Sequence, residues 1–273
     1  MHPVIADLDA KATQLYANGM RAETTRLQIE AGAFQQKLLE GSPFKTGKRF
    51  LSPQWCWAFG HIGLLHMLIR WFRLHEPETK LFLETRGAVA NEYFLKALEP
   101  YLTILNKFPE EWTEEVNYNS VYFACPDGIR PIHDFYKMVE RECAGLFLLS
   151  LTEAQEREAD ELLKRLGAKR PYIALHARST GHDPARNITL SMAEEAVSHY
   201  HMDVVSIGLD EHPANTRFPS VRKLPNPWLA SFLLSASCDR FIGSNSGAWT
   251  VAHAYQKPVE LMNDFEKLAW IYP

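Results

Sequence analysis

From Arg49 onward the chain alternates short apolar or β-branched runs with helix-length segments, and no other feature limits its fold so tightly. A layered α/β architecture follows, because strands buried on both faces read as continuous apolar runs and parallel neighbours need a helical return. The runs predict strands over 50–53, 80–83, 102–105, 121–124, 172–177, 204–207, 240–242 and 259–262. Helices are predicted over 62–74, 89–98, 132–147, 153–166, 192–201, 228–237 and 248–256. Thr152 as N-cap and Gly167 as stop mark out a charged helix, which separates two successive α/β sets. Ahead of them, helices over 6–18 and 21–39 end at Gly19 and at Gly41 with Pro43; Leu27, Phe34, Leu38 and Leu39 share roughly one face of the second. The expected division is a helical segment 1–45, an α/β lobe 46–150 and a second α/β lobe 151–273.

Charge and cysteine usage narrow the functional classes. Lys and Arg total 29 against 33 Asp and Glu, a formal net charge of -4, so the general electrostatic footprint of a nucleic-acid binder is missing. Apolar stretches such as 144–149 fall far below the roughly 18 residues of a membrane helix. Met1-His2-Pro3 opens no basic and apolar leader, so a soluble, cytoplasmic chain is expected. Cys56, Cys125, Cys143 and Cys238 form no Cys-x-x-Cys pair, which points to buried thiols rather than zinc or disulfides.

Two segments carry chemistry. In the first, a strand enters the turn Gly243-Ser244-Asn245-Ser246-Gly247 and a helix follows, ending before Pro258. Backbone N–H groups at such an opening turn, with the positive end of the helix dipole, favour phosphate. Gly243 and Gly247 admit a close approach, and the hydroxyls of Ser244 and Ser246 can add donors. An ordinary strand-to-helix turn capped by Ser and Asn is an equal reading of this segment alone. In the second, a strand ends in Arg178 and a polar loop carries His182, Asp183, Arg186 and Asn187. Ligands of parallel sheets bind beyond the carboxyl ends of the strands, where Arg178 and the 244–247 turn both emerge. A guanidinium there suits a diphosphate without a metal, through bidentate charge-assisted bonds. The plainer alternative is a surface Arg paired with Asp183.

The pattern of strand, Gly-x-Asn/Asp-Ser-Gly, helix with Ala-His, Pro and strand resembles the donor half of GT-B glycosyltransferases, especially bacterial heptosyltransferase-like enzymes. Ala174-Leu175-His176-Ala177-Arg178, with Asp183 and Arg186-Asn187 downstream, is similar to the His-x-Arg strand and loop of a group of bacterial surface-polysaccharide glycosyltransferases, distantly like the fucosyltransferase type. Gly60-His61-Ile62-Gly63 and Ala90-Asn91-Glu92-Tyr93-Phe94-Leu95 match that group's acceptor half, so the likeness is spread in short motifs from about residue 49 to 263. The resemblance implies two Rossmann-like lobes of GT-B type after an N-terminal helical segment. It also implies metal-independent, cofactor-free transfer of a sugar from a nucleotide-diphosphate donor to a glycan, a lipid-linked acceptor or another hydroxyl, with at most peripheral membrane contact. Arg178 would contact the donor diphosphate, and Ser246 and Gly247 would bind it through backbone N–H groups. Ser244 and Asn245 would shape the turn, and Arg186 and Asn187 would line the same cleft. His61, opening a helix at the mouth of that cleft, would take the proton from the acceptor hydroxyl, with Asp183 as the next candidate. His66 falls on another side of that helix and is expected to pack.

Two departures accompany the resemblance. Ser206 stands where the closest resembling enzymes carry Arg, and the chain stops at Pro273 soon after Asn263, as in an abbreviated or C-terminally incomplete member. Rival classes fit worse. Ser246 sits in Gly-x-x-Ser-Gly, and His253 precedes Asp264, which is the wrong order for an α/β-hydrolase triad. Asp7-Leu8-Asp9 matches the Asp-x-Asp of metal-dependent transferases but lies in a first helical turn rather than after a strand. His-Glu-x-x-His, Walker and Gly-x-Gly-x-x-Gly motifs are absent. A non-catalytic sugar-nucleotide-binding or scaffold protein of the same fold remains the alternative. For Arg70-Trp71-Phe72-Arg73 two readings stand: contact with an anionic membrane surface, or core packing of Trp71 and Phe72 with snorkelling Arg.

Overall fold

The computed structural model describes residues 3–20, 23–24, 26–27, 30–31, 48–51, 53–108, 138–180 and 186–262. The chain divides into two compact units, Met1–Leu146 and Phe147–Pro273. Both are α/β, and each holds a parallel sheet.

In the first unit, α1 (Pro3–Ala17) is followed by Gly19 at φ 75°, a backbone state that ends a helix at little cost only for glycine. Residues 23–24, 26–27 and 30–31 are also helical; the rest of the predicted second helix lies outside the described residues. Strands β1 (Lys48–Leu51), β2 (Lys80–Glu84) and β3 (Thr103–Leu105) form a sheet in the order β1-β2-β3. Helices α2 (Phe59–His75) and α3 (Glu92–Ala97) make the two crossovers. Asn91 caps α3 by accepting the Phe94 N–H at 2.8 Å. The predicted strand 121–124 lies outside the described residues.

Helix α2 is buried from Ile62 to Phe72, as an apolar stripe on most sides requires. Trp71 and Phe72 are in the core and His66 is buried with them, so the aromatic pair is not offered to a membrane. Arg70 does not snorkel. It is 1% exposed and donates from Nε to the Leu146 carbonyl at 2.9 Å, from Nη2 to the Cys143 carbonyl at 2.9 Å and from Nη1 to Glu140. A buried cation persists only when its donors are matched in this way. Of the predicted helix 132–147, residues 132–137 lie outside the described residues; it is helical over 138–142 and ends before Gly145 at φ 80°. The carbonyls freed after that end are the ones Arg70 caps.

In the second unit the sheet order is β5-β4-β6-β7, with β4 (Tyr172–His176), β5 (Asp203–Ser206), β6 (Arg240–Ser244) and β7 (Val259–Met262) all parallel. Helix α4 (Glu153–Leu166) opens on a reciprocal capping box between Thr152 and Gln155 and closes on left-handed Gly167. Arg170 then joins α4 to the end of α7 (Pro227–Ala236), bonding Asp160 at 2.8 Å, Glu156 at 2.9 Å and the Ser237 carbonyl at 2.6 Å. On one sheet face Ile173, Leu175 and Ile242 pack against Ala193 and Val197 of α5 (Leu190–Ser198), and the short α6 (Ala214–Arg217) adds Ala214 to the same cluster. From the other face the Tyr172 hydroxyl reaches α7, donating to the Leu234 carbonyl at 2.8 Å. Helices on both faces bury the whole of β4 except the rim of His176.

Replacing Arg70 with Ala leaves two carbonyls without this donor and Glu140 without its cation. The expected loss is about 3 kcal/mol of stability, measured as a lowered urea midpoint at unchanged m-value.

Candidate functional site

The site grows from the register of β4 against β6, which sets His176 opposite Gly243. A Cβ on Gly243 would lie 2.7 Å from the His176 carbonyl oxygen and 3.0 Å from both the His176 Cβ and the Phe241 ring. On the β5 side, a Cβ on Gly208 would lie 3.3 Å from the Ala177 carbonyl oxygen and 3.9 Å from the His176 ring. The imidazole therefore sits between two positions that carry no side chain. Its Nδ1 meets the Ser246 Oγ at 3.0 Å and the Ser244 Oγ at 3.3 Å, and the Ser244 hydroxyl donates to the His176 carbonyl at 3.4 Å. Burial pushes the His176 pKa down to about 4; Arg178 and His212 also oppose the charge, and Asp210 favours it.

The loop after β4 is shaped by side chains bonding backbone. Arg178 is 7% exposed immediately beyond the strand, and its carbonyl accepts the Ile188 N–H at 3.3 Å. Asn187 holds both backbone groups of Thr180, accepting its N–H at 3.1 Å and donating to its carbonyl at 2.8 Å. Arg186 donates to the Asn245 carbonyl at 3.2 Å, which ties this loop to the turn after β6. His212 ties it to the segment after β5: Nδ1 accepts the Ala214 N–H at 3.0 Å, so Nε2 carries the hydrogen given to the Ile188 carbonyl at 2.8 Å.

Arg178, Ser244, Asn245, Ser246 and Gly247 thus come to the carboxyl ends of two adjacent strands, and Arg186 and Asn187 brace the loop beside them. Ser244 is fully buried and turned to His176, so it shapes the turn rather than offering a donor outward. Ser206 is also fully buried, donating to the Asn215 side chain, whose own amide donates to the Asp210 carbonyl at 2.6 Å. At this position the chain braces a loop instead of presenting a cation. The helix after the turn, α8 (Trp249–Ala254), is six residues long rather than the predicted nine. Its dipole is correspondingly small and can favour an anion only weakly. His61 lies in the first turn of α2 in the first unit, its N–H bonded to the Ala58 carbonyl at 3.0 Å. Asp183 and His182 lie outside the described residues.

The sequence reading missed His176 as a site residue. Its signal was the period of two, which puts His176 on the Tyr172 face and leads on to Arg178. The pair Ser246–His176 places a histidine that precedes the serine in sequence beside its hydroxyl, as a hydrolase would need. The chemistry disfavours that rival: no carboxylate meets the His176 Nε2 among the described residues, and a base of pKa about 4 is weak at neutral pH. Asp7 pairs with Lys11 at 2.7 Å within α1, which begins four residues earlier, at Pro3. Among the described residues no group of three His, Cys, Asp or Glu side chains is placed to hold a metal ion, and no helix is long and apolar enough to cross a membrane. Cys56, Cys143 and Cys238 are buried free thiols; Cys125 lies outside the described residues. A surface hollow of about 470 Å³ between Arg165, Phe218 and Leu224 shares no residue with the strand-end cluster.

No family model matches this chain, and no curated protein matches it by sequence. Solved structures similar to it include the dodecameric iron-containing heptosyltransferase TibC in complex with ADP-D-beta-D-heptose, at 18% identity and TM-score 0.45, over 79% of this chain and 57% of that one. A family 9 glycosyl transferase from Veillonella parvula is similar at 11% identity and TM-score 0.42, over 78% of this chain and 79% of that one. POFUT1 in complex with GDP is similar at 11% identity and TM-score 0.45, over 79% of this chain and 98% of that one. The chain thus spans less than two thirds of the length of TibC.

Gly243→Ala should destabilise the second unit by about 1–3 kcal/mol, because the backbone of β4 must yield to the new methyl group; chemical denaturation checks this. Stability should also fall with acid. The unfolded chain protonates this His near 6.5 and the folded chain not until about 4, so stability drops as pH falls through that window. The drop is on the order of 2 kcal/mol, and urea titrations of wild type and His176→Asn at pH 7 and 4.5 should show it only in the wild type.

Proposed function

We propose that the second unit binds the diphosphate of a nucleotide-activated sugar and that the chain is a metal-independent glycosyltransferase acting on a glycan, lipid-linked or other hydroxyl acceptor. The observation that carries this reading is that Arg178 follows β4 and the Ser246-Gly247 turn follows the adjacent parallel strand β6, with the Ser246 hydroxyl bonded to His176 at the end of β4. A guanidinium with hydroxyl and backbone donors is the donor set that a diphosphate needs. The motif resemblance to GT-B donor halves points to the same ligand.

In this mechanism the donor's diphosphate lies against Arg178 and the backbone N–H groups of Ser246 and Gly247. As the bond from the anomeric carbon to the diphosphate oxygen lengthens, negative charge gathers on that oxygen, and fixed donors stabilise it without reorganising. The acceptor oxygen forms the new bond to the anomeric carbon, and its proton passes to His61 or to Asp183. The nucleoside diphosphate leaves with the bonding electrons. Arg186 and Asn187 keep the loop in place through Asn245 and Thr180.

The test is a thermal-shift panel of nucleotide sugars on the full chain, followed by assay of nucleoside diphosphate release with glycan acceptors. One donor class should raise the wild-type Tm, and Arg178→Ala should weaken its binding about 10- to 100-fold. Equal shifts in both proteins would remove Arg178 from the site. Stabilisation without release would favour the alternative, a non-catalytic sugar-nucleotide-binding or scaffold protein of the same fold.

A further inference from the structure

We propose that His176 is a positioning residue: its Nδ1 donates to the Ser246 hydroxyl oxygen and so leaves the Ser246 hydroxyl hydrogen for an anionic ligand. The inference rests on the diphosphate reading for the ligand and on geometry for the orientation. A serine hydroxyl has one hydrogen and two lone pairs. The His176 carbonyl can only accept; with the Ser244 hydrogen given to it at 3.4 Å, the 3.3 Å contact of Ser244 with Nδ1 is attractive only when Nδ1 carries the hydrogen. That same Nδ1–H faces the Ser246 oxygen at 3.0 Å. With this bond in place, the hydroxyl hydrogen of Ser246 must find another acceptor. Of the two serines, Ser244 is fully buried and Ser246 is partly exposed beside Gly247, so Ser246 is the one that can meet a ligand.

The opposite tautomer would have the opposite effect. Ser246 would then donate to Nδ1 and turn only lone pairs outward, which repel a phosphate oxygen. Among the described residues the His176 Nε2 has no hydrogen-bond partner, so the two serines govern the choice. Burial keeps the ring neutral at neutral pH, and a side chain at Gly208 would come within 3.9 Å of it. His176 touches no ligand in this account and acts through Ser246 alone.

Nitrogen-15 NMR of the ligand-free full chain reads the tautomer directly and should find the hydrogen on Nδ1; a hydrogen on Nε2 would overturn the proposal. Calorimetry with GDP, ADP and UDP then compares wild type, His176→Leu, His176→Asn and Ser246→Ala. Asn can place an amide N–H where Nδ1 lies, so His176→Asn should bind within about threefold of wild type, while His176→Leu should lose about tenfold. The double variant His176→Leu with Ser246→Ala should bind no worse than Ser246→Ala alone. Additive losses, or full binding by His176→Leu, would refute the coupling. Should His176→Leu fail to fold, the tautomer signal and its change in Ser246→Ala still decide. Failure of all three nucleotides to bind wild type would sink the diphosphate reading, while the NMR result alone would decide the orientation of Ser246.

Discussion

The missing side chain of Gly243 sets how closely β4 and β6 can run where the polar cluster begins. With even a methyl group there, the His176 carbonyl would face a carbon at 2.7 Å, and one strand would have to move. Because the strands are parallel and in register, a shift at this pair would carry through to the turn that follows β6. The imidazole, the two serine hydroxyls and the turn therefore depend on one steric allowance. The same closeness dehydrates the ring, and its low basicity follows from the packing.

Around that contact Ala177, Ile188 and Ala214 anchor the loops in the core, and directed hydrogen bonds fix their polar parts. Asn187, Arg186, His212 and Asn215 each bond a backbone group in a neighbouring segment. Arg70 works alike in the first unit, where it satisfies carbonyls freed when a helix ends at 142. In both units a side chain from one element completes the backbone of another, which a buried polar group must do to be tolerated.

Much of the frame was legible in local pattern. Strand 259–262 and helix 153–166 match the observed bounds, because an apolar run between turns and a full pair of caps are local signals. Strand β6 runs to Ser244, two residues past its expected end, since pairing with β4 and β7 overrides the weak strand propensity of Gly243 and Ser244. Helix α5 starts at Leu190 rather than 192 because Thr189 caps it, its hydroxyl accepting the Met192 N–H at 3.2 Å. At the site, the charge of Arg178 and the small residues of 243–247 stood out in the sequence. The roles of His176, Ser206 and Arg70 did not, because each depends on partners brought near only by the fold.

The two-way bond between Asn187 and the backbone of Thr180 acts as a clasp at the base of a loop. Arg178 lies just before the clasp and Arg186 just inside it, bonded to the Asn245 carbonyl. Lengthening a loop whose ends are already joined costs only a slowly rising closure entropy. By closure entropy alone, a longer segment between Thr180 and Arg186 lets both arginines keep their places. Length can thus be added at this end of the sheet without rebuilding the sheet.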